Sequence, residues 1–281
     1  MRMATIGPIH SIPEPMPQTR TQAASAASGD LLAQAQSSNS HVVKKGWDHW
    51  LIIGPSTVTT RELRPNEYLL QDGNPIAPYW FAERLRNEVA VADFLRAKTT
   101  IPVPPSRLYT DGGLLHLETE RVLDGIPLSD LIFTSGKQVR EAAVCAVDAQ
   151  LKETILPQLR SLRRNHIGSV DATIPVFPPH RIFKKDRRSW PRVASQGQDF
   201  VLCHAGLNEQ SILVDPATYK IVAIVGWECA GYFPPHFELP LWLDSLEASS
   251  NVYEEAEARE LAFFGLTTKD LVDESAHKPA T

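Results

Sequence analysis

Cysteines are few in this sequence, and long apolar runs are missing. Its 281 residues include three cysteines, Cys145, Cys203 and Cys229, which are odd in number and far apart along the chain. This pattern argues against a disulfide framework and against a structural zinc cluster. No apolar stretch reaches the roughly 20 residues that a membrane-spanning helix needs, and no signal-peptide segment is recognisable. We therefore expect a soluble, cytoplasmic protein that does not bind membranes.

A strong charge of one sign is missing as well. The formal net charge is −5, from 28 basic and 33 acidic residues, so no basic field predicts a nucleic-acid partner. Apolar residues make up 43% of the chain, which is enough to bury a sizeable core in one large domain or two lobes. The composition is that of a globular protein, and it leaves the oligomeric state open.

The chain divides into three regions by composition. Residues 1–40 are rich in Ala, Ser, Gln and Pro and have few large apolar side chains, which predicts a disordered or loosely docked tail. Residues 41–125 contain short apolar stretches separated by Gly, Pro and Asp turn signals, which predict a β-rich N-terminal lobe with one helix. Residues 126–281 show mainly helical spacing with a few short strands, which predicts a larger C-terminal lobe.

Helical periodicity is clearest in two places. From Trp80 to Lys98, apolar side chains recur every three or four residues, as on one face of an amphipathic helix. These side chains are Phe81, Leu85, Val89, Ala92 and Leu95. A second run begins at Val139 and repeats every four residues, and Pro157 is expected to kink or end that helix.

The most informative segment runs from Phe200 to Phe237. Kinase-type centres contain the pattern His-x-Asp, an Asn five positions after that Asp, and a second Asp beyond a pair of strands. The first Asp takes the proton of the acceptor hydroxyl, and the Asn and the second Asp bind the magnesium ion that neutralises the phosphates. In this sequence the spacing is kept but three of the residues differ. The four positions are occupied by His204, Gly206, Ser211 and Gly226.

The residues around these positions resemble the aminoglycoside phosphotransferase and choline-kinase-like family, in particular its fungal branch. Family members read H-x-D-L-x-x-x-N-I-L-V-D-P followed by I-I-D-W-E, and the matching stretches are residues 204–216 and 224–228. The similarity extends back to the helix that carries Glu88 and covers roughly residues 45–246. It implies an α+β, bilobal protein-kinase-like fold, with a nucleotide cleft between a small β-rich lobe and a larger, mainly helical lobe.

Several departures from the family pattern bear on function. Glycine offers no ligand oxygen at two of the positions, and the hydroxyl of Ser211 is a poor ligand for a hard cation. No lysine occurs in residues 46–97, so the strand lysine that should pair with Glu88 is missing from its expected place. We therefore predict degenerate catalytic motifs, no bound metal or cofactor, and the loss of metal-dependent phosphoryl transfer.

Glu228 and His204 are the candidate catalytic residues. Glu228 follows the position of the second Asp, where an uncompensated carboxylate is expected to exchange a proton with a ligand; the alternative is a salt bridge within the lobe. His204 is a second acid–base candidate, although a histidine in such a loop more often supports the backbone. The candidate ligand-binding residues, for which ordinary loop or core roles are the alternative, are Gly206, Asn208, Ser211, Gly226, Glu88 and Trp227.

Three functions are compatible with these motifs. In the first, the cleft binds a small apolar metabolite and catalyses a non-phosphoryl step, such as a cyclisation or isomerisation in fungal specialised metabolism. In the second, the protein is a non-catalytic, pseudokinase-like protein that binds a ligand or a partner. In the third, a residual small-molecule phosphotransferase remains. All three predict a small-molecule or protein partner rather than nucleic acid, and the first hypothesis is preferred because glycines enlarge and neutralise a site that held metal phosphates.

Overall fold

A five-stranded antiparallel sheet forms the N-terminal region. The computed structural model describes residues 42–71, 73–183, 188–243 and 250–271, so the tail predicted at residues 1–40 lies outside the described residues. The first elements, in chain order, are β1 (Val42–Lys45), β2 (His49–Ile53), β3 (Thr57–Glu62), β4 (Leu69–Gln71), β5 (Asn74–Ile76), α1 (Phe81–Lys98), β6 (Ser106–Asp111) and β7 (Leu114–Glu120).

Helix α1 connects this sheet to the rest of the molecule. The strand order is β1-β2-β3-β7-β6, every pairing in that sheet is antiparallel, and β4 and β5 form a separate hairpin. Phe81 and Leu85 of α1 contact Leu117 of β7, as the predicted apolar stripe requires. Val91 and Leu95, further along α1, belong to the larger core of the C-terminal region. The helix is therefore buried against both lobes.

Helices and short strands alternate in the C-terminal region. Its elements are β8 (Ile126–Pro127), α2 (Leu128–Thr134), α3 (Lys137–Gln150), α4 (Leu156–Ser161), β9 (Arg163–Arg164), α5 (His180–Phe183), β10 (Phe200–Cys203), β11 (Ile212–Val214), β12 (Ile221–Ile224), β13 (Gly231–Phe233) and α6 (Ser250–Phe263). Strands β11 and β12 form the predicted hairpin, and β10 pairs with β13 and β9.

The long helix predicted from Val139 is made of two helices joined by an irregular turn. A π-helical turn at Leu151–Ile155 connects α3 to α4, and Pro157 lies in the first turn of α4. Proline has no N–H group to donate and its ring crowds the preceding helical turn. The π-helical turn changes the hydrogen-bond pattern of the backbone just before Pro157. The chain stays helical through Pro157, so the helix is interrupted rather than ended.

The largest apolar core lies in the C-terminal region and contains the aromatic residues that follow β12. The aromatic residues of this segment that are fully or almost fully buried include Trp227, Tyr232, Phe233, Phe237 and Trp242. The three cysteines are free thiols. None of the described helices has both the length and the apolarity needed to span a bilayer. The molecule thus has the predicted α+β fold, β-rich at its N-terminal end and mainly helical beyond, while the boundary at residue 125 stays a prediction.

Candidate functional site

The loop after β10 is held by its own hydrogen bonds. The side-chain oxygen of Asn208 accepts hydrogen bonds from the backbone N–H groups of Gln210 (2.8 Å) and Ser211 (3.2 Å). The Ser211 hydroxyl donates to the carbonyl oxygen of Asn208 over 2.9 Å. Both side chains therefore stabilise the turn itself, which was the alternative to a ligand-binding role.

Gly206 and Gly226 differ in their surroundings. A Cβ atom added to Gly206 would lie 3.1 Å from the Cβ of His180, which is tighter than normal packing. Gly226 has φ +79°, and its nearest neighbour would be the Cβ of Ser211 at 4.0 Å. The space of a side chain at 206 is thus filled by His180, whereas the space at 226 is open.

His204 lies under the loop and is buried. Its Nε2 atom is 3.0 Å from the carbonyl oxygen of Val225, and its ring contacts the indole of Trp227 with centroids 4.5 Å apart. Burial lowers the pKa of His204 to about 4, so the imidazole is neutral at physiological pH. These contacts favour support of the backbone for His204 and a core position for Trp227, whose indole N–H donates to the carbonyl of Ile224.

Glu88 of α1 faces Gly226. Its Oε1 atom accepts a hydrogen bond from the backbone N–H of Gly226 over 3.3 Å. Burial, together with the negative charge of Glu228, raises the pKa of Glu88 to about 7. Lys44 and Lys45 lie on the edge strand β1 and are exposed. Among the described residues the carboxylate therefore has no lysine partner from the sheet.

Arg61, the basic residue of β3, pairs with a residue other than Glu88. Arg61 pairs with Glu67, with 2.9 Å between Nη2 and Oε1, and its guanidinium lies over the ring of Trp50. Arg84, one helical turn before Glu88 on α1, is the cation whose positive charge acts on Glu88.

Arg84 joins the two lobes through a buried ion network. Its Nη2 donates to Oδ2 of Asp48 over 2.6 Å, and its Nη1 donates to Oε2 of Glu228 over 2.7 Å. Burial opposes the charge on Arg84, but the charges of Glu228 and Asp48 outweigh it and raise the pKa of Arg84. Asp48 lies in the turn between β1 and β2, so this network fixes that turn to the segment that follows Gly226.

A cavity of about 370 Å³ lies beside this network. It is lined by Trp47, Asp48, His49, Arg84, His180, Phe183 and Glu228. Glu228 is the one predicted site residue in that lining. Arg84 shares a helix with Glu88, and Asp48 and His49 follow the turn residue Gly46. These positions are only weak indications in the sequence that the three residues line a site. Nothing in the sequence relates His180 to the loop.

The residues at the motif positions do not fit a magnesium ion. Gly206 and Gly226 supply no side-chain oxygen, and the Ser211 hydroxyl is already hydrogen-bonded within its turn. Within the described ranges, no group of three or more His, Cys, Asp or Glu side chains has an arrangement that would hold a metal ion.

Comparison with known proteins identifies one family. A model described as the phosphotransferase enzyme family matches residues 55–267. No curated protein matches the chain. Among solved structures, the gentamicin complex of APH(2")-IIa is similar over 85% of this chain and 81% of that chain, at 10% identity and a TM-score of 0.42. A choline/ethanolamine kinase family protein from Mesorhizobium loti is similar over 86% and 77%, at 12% identity and a TM-score of 0.39.

Proposed function

Because the chain belongs to the phosphotransferase enzyme family, we propose that its interlobe cleft has lost metal-dependent phosphoryl transfer and instead binds a small, largely apolar molecule. The reaction proposed there is a non-phosphoryl, proton-shuttling step of the cyclisation or isomerisation type. The proposal also includes that the protein belongs to the fungal branch of the family, that its ligand comes from specialised metabolism, and that it is located in the cytoplasm.

One observation carries this proposal: Gly206 and Gly226 have no side-chain oxygen and the Ser211 hydroxyl is already hydrogen-bonded, so none of these three positions offers a free side-chain ligand for magnesium. In a kinase-type site, the metal and its ligands neutralise the charge that develops on the phosphoryl group. Positions 206, 211 and 226 lack the proton-accepting Asp and the two metal ligands of such a site. Because these residues act as one unit, their joint loss removes the mechanism as a whole. The packing of His180 into the space beside Gly206 supports the same conclusion.

The cavity supports binding of a ligand other than a nucleotide. Its walls include the aromatic side chains of Trp47 and Phe183, which favour a flat, apolar molecule. Glu228 lies in the same wall with its side chain 25% exposed, and it is the carboxylate proposed to exchange a proton with the ligand. Since His204 is buried and hydrogen-bonded, its proposed contribution is to hold the loop in place.

Thermal denaturation with ATP and Mg²⁺ tests the proposed loss of phosphoryl transfer. Only a ligand of the folded state raises the melting temperature, so the wild-type protein should show no magnesium-dependent rise. A restored variant combines Gly206→Asp, Ser211→Asn and Gly226→Asp with His180→Gly, which makes room for the new side chain at 206. The restored variant should be stabilised by ATP and Mg²⁺, whereas His180→Gly alone should not.

A magnesium-dependent rise in the wild-type melting temperature, equal to that of the restored variant, would contradict the proposal and favour a residual phosphotransferase. A second reading of the cleft is a non-catalytic, pseudokinase-like binding site. The pairing of Asp48 and Glu228 with the same guanidinium favours it, because both carboxylates are already satisfied inside the protein. The test of proton-accepting ability described next distinguishes these two readings.

A further inference from the structure

The cavity contains a histidine–aspartate pair that lies far in sequence from the degenerate motif. His49 is the first residue of β2, and its Nδ1 atom lies 2.7 Å from Oδ1 of Asp48. The second oxygen of Asp48 accepts the hydrogen bond from Arg84. Burial favours the neutral form of Asp48, but the hydrogen bond from His49 and the charge of Arg84 outweigh burial and lower the pKa of Asp48. Asp48 is therefore an ionised acceptor that holds the proton of His49 on Nδ1.

The ring of His49 is fixed in a position where its other nitrogen is left for a ligand. It stacks on the ring of Phe81, with centroids 6.2 Å apart and planes 11° from parallel. Its side chain is 34% exposed, and the residue lines the cavity. In the neutral imidazole with Nδ1 protonated and bonded to Asp48, the Nε2 atom carries the lone pair. This is the arrangement in which a carboxylate orients an imidazole to act as a base.

The other side chains of the lining restrict the chemistry. Two imidazoles, two carboxylates, one guanidinium and two apolar aromatic rings form the wall, and no Ser, Thr, Cys or Lys nucleophile is among the lining residues. The acid–base groups are able to move protons, but no side chain of the wall is a usual covalent nucleophile. The cavity is therefore suited to proton transfer on a bound carbon or oxygen acid.

We propose that His49, positioned by Asp48, is the general base of this cavity, and that its substrate is an enolisable carbonyl compound with a flat, apolar body. Nε2 takes a proton from the carbon beside the carbonyl group, and the C–H electron pair moves into the carbonyl to give an enolate. Where a C=C bond adjoins that carbon, the anion is a dienolate, and the imidazolium returns the same proton to its far (γ) carbon, which moves the double bond into conjugation with the carbonyl and gives an isomer with no gain or loss of atoms or electrons. This inference rests on the proposed function, because a nucleotide-binding cleft would not take such a substrate.

The tautomer of His49 gives a test that needs no substrate. Long-range proton–nitrogen NMR of the imidazole rings should show His49 protonated at Nδ1 and bare at Nε2. The half-buried His166 is a matched control, because its Nδ1 lies 3.0 Å from the amide oxygen of the preceding Asn165 instead of a carboxylate. A His49 protonated at Nε2, with Nδ1 bare, would overturn the proposal.

Reactivity toward a model carbon acid tests the base itself. The probe is 5-nitrobenzisoxazole, from which a base takes the ring C–H proton while the electrons form a nitrile and the N–O bond breaks to release a phenolate. The wild-type protein should eliminate it roughly tenfold or more faster than His49→Ala. Asp48→Asn should lie between the two, and His166→Ala should match the wild type.

Equal rates for wild type and His49→Ala would overturn the proposal, and so would a rate that falls equally in His166→Ala. Because Asp48→Asn also alters the ion network, its fold is to be checked by circular dichroism, and His49→Ala alone suffices to decide. These outcomes are separate from the proposed loss of phosphoryl transfer, since the nucleotide experiment can fail or succeed whether or not His49 accepts a proton.

Discussion

The two faces of the cleft differ in how they hold charge. On the side of the N-terminal lobe, Asp48 and Arg84 are buried and paired, and Glu228 completes their network. On the loop side, Gly206 and Gly226 have no side chain and therefore carry no charge. Carboxylates that surround a metal repel one another when the metal is gone, whereas carboxylates that share a guanidinium are each stabilised by its positive charge without any ligand. Charged side chains are therefore present in this cleft where an oppositely charged side chain of the protein itself neutralises them.

Of the substitutions considered, replacement of Arg84 should reduce the stability of the protein most. Arg84→Met keeps much of the packing against Phe81 and Phe183, over whose rings the guanidinium lies, but leaves Asp48 and Glu228 without their partner. We expect a loss of about 3–5 kcal/mol in the free energy of unfolding, because a buried pair is broken from one side. Urea denaturation measures the loss.

Arg86 on the same helix provides the control for that experiment. Its side chain is 54% exposed and lies 3.6 Å from Glu83, so Arg86→Met should change stability by about 0.5 kcal/mol or less. If the two variants lose similar amounts, the network at Arg84 is not the element that joins the lobes.

Asn87 joins the two faces without any charge. Its Nδ2 donates to the carbonyl oxygens of Glu228 and Ala230, each over 2.9 Å, and its Oδ1 accepts from the hydroxyl of Ser169. Asn87→Ala leaves these buried groups unsatisfied and should cost about 2–3 kcal/mol in urea denaturation. Ser169→Ala removes only one of the contacts and should cost less. A loss of equal size in both variants would place the main contribution at the hydroxyl.

The carboxylate of Glu88 makes the charge on the cleft depend on pH. Its folded-state pKa of about 7 lies above the ordinary value of 4.5, so the folded protein prefers the protonated form. Its contribution to stability is therefore complete below about pH 4.5 and is lost as the pH rises through 7. Glu88→Gln stays neutral and keeps an oxygen for the N–H of Gly226. The variant should thus gain roughly 1–2 kcal/mol over the wild type at pH 8 and nothing near pH 4.5.

Unfolding free energies between pH 4.5 and 8 check this prediction. Glu83→Gln, on the exposed part of the same helix, is the control. The difference between Glu88→Gln and wild type isolates this residue, because Glu238, whose pKa burial also raises to about 7, is present in both proteins. A difference that does not change with pH would show that folding does not raise the pKa of Glu88.

Local patterns allowed the elements to be predicted from the sequence. The stripe of α1 is recognisable because helix burial repeats every three or four residues, and the hairpin of β11 and β12 is marked by Asp215 and Pro216 between two apolar stretches. The motif positions at 204–226 followed from spacing alone. Each of these features depends on residues close together in the chain, which is why sequence reasoning reached them.

The chemistry of the cleft could not be predicted in the same way. Arg84 pairs with residues 36 and 144 positions away, and His180 packs beside Gly206 through a segment with no pattern of its own. Glu228 was identified, but its partner was not. The sequence shows that the strand lysine expected to pair with Glu88 is missing, but the structure is needed to show that Arg84 of α1 supplies a positive charge near Glu88. Such contacts are set by tertiary packing, which leaves no periodic signal.

Substitution of Gly226 should have a small effect on stability, which can be compared directly with the effect at Gly206. Its φ of +79° is a conformation that a side chain disfavours, but a Cβ atom there would meet nothing closer than 4.0 Å, so the cost is backbone strain alone. Gly226→Ala should therefore lose about 1 kcal/mol in urea denaturation, and Gly226→Asn less, because asparagine tolerates positive φ. Gly206→Ala is the counterpart, with no positive φ but a contact of 3.1 Å to His180. His180→Gly should reduce the cost at 206 and leave the cost at 226 unchanged. If it relieved both equally, the open and the filled glycine sites would not be independent, and the loop side of the cleft would respond as one unit.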